Sequence, residues 1–240
     1  MTHACGRKKG SAPIRELYEL ALEDNELAFV YLGFAGIILR SRDRVLAFDV
    51  GKLCIREQEI HTLEALDIQF YSHTHMDHWD PEVTLKIFEK TGARIVAEPQ
   101  VVEEMGERVA PAAVKAAMPG RPLPIDEFEI EAIEGVHPRP ITLFRVKWGA
   151  FRVFHGADSG YVPLGDYPGD VAFVPVGTPS PSCSPKNALN MALDLQPKIV
   201  VATHGNQKQL QGFQRLAQHN MPGMQVIIPE PCELVRVSLS

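Results

Sequence analysis

Four side chains that commonly bind metal ions lie within six residues of one another. The segment 72–80 reads S-H-T-H-M-D-H-W-D and places His73, His75, Asp77 and His78 in the spacing H-x-H-x-D-H. Imidazole nitrogens and carboxylate oxygens suit zinc and neighbouring divalent metals. His73 and His75 can point the same way from an extended loop, while Asp77 and His78 lie where the chain enters the next helix. We therefore predict that one loop serves two adjacent metal ions.

A histidine-rich surface turn is the alternative interpretation of this segment. However, the apolar residues 68–71 directly before it predict a buried strand, and the pair Asp80-Pro81 is typical of a helix start. A loop between two such elements is positioned by the folded core, so we favour the metal site.

Further aspartate and histidine residues that could belong to the site come at or after the ends of predicted strands elsewhere in the chain. They are Asp49, His137, Asp158 and His204. Each would be a weak signal alone, because a single histidine is usually a loop residue and an aspartate before Ser-Gly usually forms a turn. Their significance depends on the His-Asp cluster and on the elements that position them.

The apolar pattern predicts two blocks of strands, each followed by strand–helix alternation. The predicted strands are 27–32, 36–39, 45–50, 68–71, 94–97, 128–136, 141–147, 150–155, 171–176 and 199–202. The predicted helices are 14–22, 57–66, 81–90, 99–108, 185–193 and 207–218, with Asp80 and Ser184 as N-caps. The Ala- and Pro-rich segment 110–124 suggests only a short helix and an irregular connection.

Two similar halves of about 120 residues would each form a sheet with helices on its outer side. Packing sheet on sheet, with helices on both outer faces, gives an α+β protein with a four-layer αββα sandwich. Because no linker, repeat or low-complexity tract divides the chain, we predict a single domain over residues 1–240, with a flexible tail at 1–12.

Together, these segments resemble the metallo-β-lactamase superfamily over about residues 29–228. The matching segments are 46–51 (L-A-F-D-V-G), 72–80, 136–137 (V-H), 154–160 (F-H-G-A-D-S-G) and 202–204 (A-T-H). The resemblance implies the metallo-β-lactamase fold and a site for two metal ions. The implied ligands are His73, His75 and His137 for the first ion, Asp77, His78 and His204 for the second, and Asp158 for both. Asp49 would support the metal loop by hydrogen bonding without binding a metal.

Within the superfamily, the chain most resembles the branch that contains L-ascorbate-6-phosphate lactonase and other small metal-dependent hydrolases. Those relatives carry a similar Pro-Val-Gly segment, helix and Pro-Lys-apolar strand before the last histidine, here at 170–177, 185–193 and 196–200. The chain departs from them at Phe34, where they often have histidine, and at Ala157, where they usually have glycine.

The resemblance implies a hydrolase in which a hydroxide bridging two divalent metals cleaves a C–O or P–O bond. A lactone or ester is favoured over a phosphodiester. The catalytic candidates are Asp77 and Asp158, of which Asp158 would orient the hydroxide and accept its proton. We expect zinc, with manganese or iron as alternatives, because histidine–carboxylate sites accept all three metals.

Two other functions stay open at this point. Sulfur dioxygenases of the superfamily use iron at similar positions, so a mononuclear iron oxidoreductase is the first alternative. A non-catalytic metal-binding protein on the same scaffold is the second. A serine hydrolase using Ser159, His155 and Asp158 is not supported, because the sequence has no G-x-S-x-G segment and nearness in sequence is not triad geometry.

Several residues near the predicted ligands are expected to contribute to the site. We expect His155 to be a buried strand-end histidine that is hydrogen-bonded near the metals. The candidate substrate contacts are Phe34, Trp79, Arg139 and Tyr161. For Arg139 a solvated loop position is the alternative, and for Trp79 it is packing at the helix start. We expect Cys183, in a proline-rich loop, to be a passive thiol.

The composition limits the partners of the protein. Its 24 Lys and Arg against 30 Asp and Glu give a net charge of −6, with no basic run, so we expect a small-molecule substrate and no nucleic acid. The apolar stretch 28–39 is too short to span a membrane, and no apolar signal segment follows the basic start. We therefore predict a cytoplasmic protein with four free cysteines, and we leave its oligomeric state open.

Overall fold

The computed structural model describes residues 13–239, so the predicted tail at 1–12 lies outside the described residues. The chain forms two compact units. The first unit consists of two segments of the chain, one that ends at Ala116 and one that begins at Glu230. The second unit is Ala117–Pro229. In the described part of the chain each unit contains a seven-stranded mixed sheet, which agrees with the predicted α+β class.

The first unit begins with antiparallel strands and continues with parallel ones. The strands are β1 Glu26–Gly33, β2 Gly36–Arg40, β3 Val45–Phe48, β4 Ile68–Tyr71, β5 Arg94–Ala97, β6 Val114–Ala116 and β14 Glu233–Ser238. The helices are α1 Pro13–Glu19, α2 Glu57–Ile60, α3 Pro81–Thr91 and α4 Pro99–Met105, with a 3₁₀ turn at Gly106–Arg108. The strand order is β14-β1-β2-β3-β4-β5-β6, antiparallel from β14 to β3 and parallel from β3 to β6.

The second unit is built in the same way. Its strands are β7 Leu123–Ile125, β8 Phe128–Glu134, β9 Thr142–Trp148, β10 Phe151–His155, β11 Val171–Pro175, β12 Ile199–Thr203 and β13 Gln225–Ile227. Its helices are α5 Pro185–Leu195 and α6 Gln207–Asn220. The order is β13-β12-β11-β10-β9-β8-β7, antiparallel from β7 to β10 and parallel from β10 to β13.

The burial of the strands follows from their sequences. Strand β1 reads E-L-A-F-V-Y-L-G and is buried after its first residue, and β11, V-A-F-V-P, is buried throughout. Continuous apolar runs of this kind are typical of strands that are covered on both faces. Strand β8, F-E-I-E-A-I-E, instead alternates buried and more exposed residues over most of its length, as expected for a strand with one covered face.

The helices that follow the site loops begin where the sequence predicts. The Asp80 carboxylate accepts the Val83 N–H at 3.0 Å at the start of α3, and the Ser184 hydroxyl accepts the Asn187 N–H at 3.1 Å at the start of α5. A proline follows each cap, as is typical of a first helical turn. The apolar face of α5 packs into the core of the second unit.

Several elements differ from the sequence predictions. Segment 110–124 contains no helix; instead, β6 pairs with β5 and β7 pairs with β8. Strands of three residues are too short to show a period of their own, so only their pairing partners reveal them. Helix α2 stops at Ile60, because the Thr62 hydroxyl donates to the Glu59 carbonyl oxygen at 2.7 Å and a turn follows. Helix α4 likewise ends early, in the 3₁₀ turn.

Two C-terminal strands were not predicted. Strand β13 pairs with β12, and β14 pairs with β1. The two units are therefore not successive halves of the chain, since the residues from Glu230 onward return to the first sheet.

The cysteines also differ from the prediction. Cys54 and Cys183 are free thiols, as expected, whereas Cys232 is disulfide-bonded. The expectation of a free thiol is wrong for Cys232, because pairing of cysteines outside a C-x-x-C spacing leaves no local signal in the sequence. Within residues 13–239, no helix has the length and apolar character needed to cross a membrane.

Candidate metal centre

The H-x-H-x-D-H loop follows β4 at the carboxyl end of the parallel part of the first sheet. Strand β3 runs parallel to β4, so Asp49, directly after β3, lies at the same edge as His73. This edge is where parallel sheets commonly bind ligands. Asp49, His73 and His78 are all buried. The two ends of the loop are therefore anchored in the folded interior, whereas Met76 in its middle is exposed.

The loop brings its potential ligand atoms together in pairs. The ligand atoms of His73 and His75 lie within 4.8 Å of each other, and their rings meet edge to face with centroids 4.7 Å apart. Those of Asp77 and His78 are also within 4.8 Å, with His78 Nε2 3.6 Å from Asp77 Oδ2. Nitrogen and oxygen donors at this spacing can converge on a metal ion.

Asp49 controls the orientation and the tautomer of this cluster. Its carboxylate accepts hydrogen bonds from the Ser72 N–H at 2.8 Å and the Ser72 hydroxyl at 2.7 Å, and it lies 2.8 Å from His78 Nδ1. A carboxylate only accepts, so Nδ1 of His78 carries the proton and Nε2 keeps the lone pair that binds metals. These hydrogen bonds are compatible with a supporting role for Asp49 beside a metal, which stays a prediction.

Ser72 extends the same network to His73, a role that the sequence analysis missed. The Ser72 hydroxyl gives its proton to Asp49, so it can accept one from His73 Nδ1, which is 3.0 Å away. That arrangement also leaves Nε2 of His73 as the metal-binding atom. The signal in the sequence was a hydroxyl residue directly before the first histidine.

Gly51 and Cys54 contact the backbone of the loop at residues 76–78. A Cβ at Gly51 would lie 2.7 Å from the Met76 carbonyl oxygen and 2.8 Å from the His78 nitrogen, so only glycine allows this approach. The buried Cys54 thiol donates to the Asp77 carbonyl oxygen at 3.2 Å. Burial raises the pKa of this thiol, so it remains a hydrogen-bond donor.

In the second unit the predicted ligands follow three strands that run in the same direction. Strands β8 and β10 both pair antiparallel with β9, and β12 runs parallel to β10 through β11. His137, Asp158 and His204 come after β8, β10 and β12, so all three lie at one edge of this sheet. Sequence spacing alone could not reveal this, because it depends on the strand directions.

Two of these side chains are brought directly together. His137 Nε2 is 3.6 Å from Asp158 Oδ2, and both side chains are buried. On its other side, His137 Nδ1 lies 3.2 Å from the Arg139 nitrogen, whose N–H can donate to it, and 3.3 Å from the Arg139 carbonyl oxygen, to which it can donate. The two contacts require opposite tautomers, and only the one in which Nδ1 is protonated and donates to the carbonyl leaves the Nε2 lone pair for a metal.

The backbone around Asp158 is held by a neighbouring loop. The Asp158 carbonyl oxygen accepts from the Ser180 hydroxyl at 2.6 Å and from the Cys183 thiol at 2.9 Å. Burial raises the pKa of Cys183 to about 12, so this thiol stays protonated. Next to Asp158, the Ser159 hydroxyl accepts the Val136 N–H at 2.8 Å, one residue before His137. The serine and cysteine side chains thus hold the backbone next to two of the predicted ligands, Asp158 and His137.

Three residues of the candidate centre have left-handed backbone conformations. The φ angles are 48° at Asp49, 51° at Ala157 and 43° at His204. Non-glycine residues rarely adopt such angles, and when they do they are often found at functional sites. Glycine adopts such an angle without strain, so the angle at Ala157 is one that favours glycine.

The remaining predicted site residues have varied environments. His155 is buried at the end of β10, as expected. The Tyr161 hydroxyl donates to Asp194 at 2.9 Å, and Arg139 is exposed. Trp79 is buried in an apolar cluster of the first unit, and Phe34 is half-buried against another. Their contribution to substrate binding stays a prediction.

A family model for the beta-lactamase superfamily domain matches residues 49–205 of the chain. The match begins at Asp49 and ends one residue after His204, so every predicted ligand lies within it. No curated protein sequence matches the chain.

Solved structures with the same fold include enzymes of different chemistry. Igni18, a metallo hydrolase from Ignicoccus hospitalis, has a TM-score of 0.76 and 19% identity, covering 89% of this chain and 99% of its own. The metallo-beta-lactamase fold protein YhfI from Bacillus subtilis has a TM-score of 0.68 and 19% identity, covering 88% of this chain and 100% of its own. CmlA, a diiron beta-hydroxylase from Streptomyces venezuelae, has a TM-score of 0.67 and 15% identity, covering 91% of this chain and 55% of its own. These similarities confirm the predicted fold, while the finer resemblance to L-ascorbate-6-phosphate lactonase stays a prediction.

Proposed function

The chain belongs to the beta-lactamase superfamily, and from this premise we propose that it is a metal-dependent hydrolase with two divalent metal ions. The observation that carries the proposal is the Asp49–His78 hydrogen bond of 2.8 Å, which leaves His78 Nε2 facing Asp77 Oδ2 at 3.6 Å. A carboxylate that orients an imidazole in this way is typical of a metal-binding histidine.

The proposed ligands are His73, His75 and His137 for one ion, Asp77, His78 and His204 for the other, and Asp158 for both. Both sets combine imidazole nitrogens with carboxylate oxygens, donors that zinc, manganese and iron accept. Within each unit these residues follow strands at one sheet edge, which supports the assignment. Zinc is the metal we favour.

When bound, divalent ions supply a water that ionises near neutral pH and an electrophile for the oxygen of the scissile group. The side chains of the protein would prepare and complete this chemistry. Asp49 and Ser72 would keep Nδ1 of His78 and His73 protonated. Asp158 would orient the attacking water and accept its proton, and the Asp77 carboxylate would offset part of the positive charge.

We propose a C–O or P–O bond of a small molecule as the target, with a lactone or ester favoured over a phosphodiester. The net charge of −6 gives no electrostatic support for a nucleic-acid substrate. The exposed Arg139, two residues after His137, would bind a carboxylate or phosphate group of the substrate. The half-buried Phe34 and Tyr161 are further proposed contacts, whereas the buried Trp79 would act through packing.

The proposal is tested by activity after metal removal and readdition. Protein stripped with a chelator would be assayed with zinc or manganese against chromogenic esters, lactones and a phosphodiester. We expect hydrolysis of at least one class to return with metal and to be absent in His75→Ala. Full hydrolysis by the metal-free protein would contradict the proposal.

Iron-dependent oxidation is the second candidate, because the diiron beta-hydroxylase CmlA shares the fold. The same donor set accepts iron, so the ligands alone do not choose between the two reactions. Oxygen consumption by the iron-loaded protein, without hydrolysis by the zinc-loaded protein, would favour this candidate over the hydrolase.

A further inference from the structure

Gln209, in the first turn of α6, links that helix to a distant loop. Its Oε1 accepts the Asn206 N–H at 3.0 Å, which completes an ordinary helix cap. The same oxygen also accepts the Thr178 N–H at 3.1 Å and the Thr178 hydroxyl at 3.0 Å. The last two bonds are not needed for capping, so this side chain has a second structural task.

The loop that Gln209 holds supports the backbone directly after His204. His204 has a φ of 43° and Gly205 a φ of 126°, so the chain turns sharply here. The Gly205 N–H donates to the Thr178 carbonyl oxygen at 2.6 Å, and the Val176 N–H lies 3.3 Å from the His204 carbonyl oxygen. A strained conformation persists only when its surroundings fix it, and Thr178 is one of the residues that do so.

Gly177 provides the space for this arrangement. A Cβ at the buried Gly177 would overlap Cδ, Oε1 and Nε2 of Gln209, so the carboxamide lies directly against the glycine. Packing on Gly177 fixes the direction in which Oε1 points. The contact involves the end of a flexible side chain, so an added methyl group would displace Gln209 rather than the backbone.

We propose that Gln209 is a positioning residue for His204, acting through Thr178 and Gly205, and that it thereby sets the affinity of the second metal ion. This inference rests on the proposed function, in which His204 binds that ion together with Asp77 and His78. Gln209 is not itself one of the proposed ligands.

The test compares zinc affinities of the metal-stripped full chain, measured by titration against a chromogenic chelator. Gln209→Met keeps the length of the side chain but removes the acceptor, and Gly177→Ala displaces the carboxamide without changing Gln209. We expect both variants to bind the second zinc ion about 10-fold more weakly, with the first ion unaffected. Gln209→Glu retains an acceptor oxygen and should bind zinc like the parent protein.

Asn206→Ala is the matched control for simple helix capping. It removes the bond from the Gln209 N–H to Asn206 Oδ1, 3.1 Å long, but leaves Oε1 of Gln209 on Thr178. We expect this variant to have a lower Tm and an unchanged second zinc affinity. A second affinity that falls equally in Asn206→Ala and Gln209→Met would assign the effect to capping and overturn the inference.

The remaining outcomes separate this inference from the proposed function. If the parent protein binds two zinc ions and both test variants bind them with unchanged affinity, the positioning role is wrong while the two-metal site stands. If the parent protein binds fewer than two, both are overturned. Equal weakening of both ions in Gln209→Met would indicate a general structural defect and would also contradict the inference.

Discussion

The two units hold their proposed metal ligands in different ways. In the first unit, His73, His75, Asp77 and His78 lie on one loop, and the buried side chains of Asp49 and Ser72 fix the imidazole tautomers. In the second unit, the three proposed ligands follow three separate strands. There, hydroxyl, thiol and amide groups mainly hold the backbone next to the ligands.

This difference indicates what each unit controls. The network of the first unit acts on proton positions, since it decides which imidazole nitrogen keeps a lone pair. The contacts of the second unit act on backbone positions, since Ala157 and His204 have left-handed φ angles that need support. Substitutions of supporting residues should therefore disturb the imidazole tautomers in the first unit and the backbone conformation in the second.

The largest effect is expected when one ligand is removed from either unit. His75→Ala in the first unit and Asp158→Ala in the second should each lower hydrolysis by more than about 100-fold, because a ligand contributes more than its supporting residues do. Initial rates on the best chromogenic substrate measure the loss, and circular dichroism checks the fold. Full activity in either variant would exclude that residue from the site.

Asp49→Asn tests the tautomer control of the first unit. The amide loses the charge and one acceptor oxygen, so we expect metal affinity to fall by about 10- to 100-fold. Asp67→Asn is the control, because Asp67 caps the Val45 N–H at 2.7 Å in the same unit without contacting the loop. Competition with a chelator measures the metal affinity of both variants. Equal losses of metal affinity in Asp49→Asn and Asp67→Asn would mean that Asp49 stabilises the fold and does not control the imidazole tautomers.

Gly51 in the first unit and Gly177 in the second allow the two units to be compared by their free energies of unfolding. At Gly51 an added methyl group meets backbone atoms, whereas at Gly177 it meets the end of the Gln209 side chain. We expect Gly51→Ala to lower the free energy of unfolding by about 1–3 kcal/mol and Gly177→Ala to lower it much less. Urea unfolding of the metal-free proteins measures both, and a larger loss for Gly177→Ala would refute this interpretation.

The smallest effect is expected at Ala157. Glycine adopts a φ of 51° without strain, so Ala157→Gly should raise the free energy of unfolding by about 0.5–1 kcal/mol. Ala150→Gly is the control, because Ala150 is an exposed turn residue whose φ is not left-handed, and glycine there should not stabilise. Stabilisation of both variants alike would show that strain at Ala157 is not the cause.

The candidate site residues of the first unit could be recognised in the sequence because they are contiguous. A short motif between a buried strand and a capped helix keeps its geometry local, and the Asp80 cap forms as predicted. Ser72 was within reach of the same reasoning, since it directly precedes His73. The close contact of Gly51 with the loop could not be predicted in this way, because it joins segments that are distant in sequence.

In the second unit, the positions of His137, Asp158 and His204 were predicted mainly through the family resemblance. Their placement at one edge follows from the directions of β8, β10 and β12, which periodicity does not give. Strand β14 was missed for a related reason, since its pairing with β1 joins opposite ends of the chain. The Gln209–Thr178 contact has no sequence signal, because each residue is ordinary in its own element.

The most direct test of the two-metal hydrolase is the metal content of protein purified without a histidine tag, measured by elemental analysis before and after chelation. The account predicts about two equivalents of zinc or manganese per chain, with hydrolysis lost on chelation and restored by metal. A protein that binds no metal under any loading condition would contradict it.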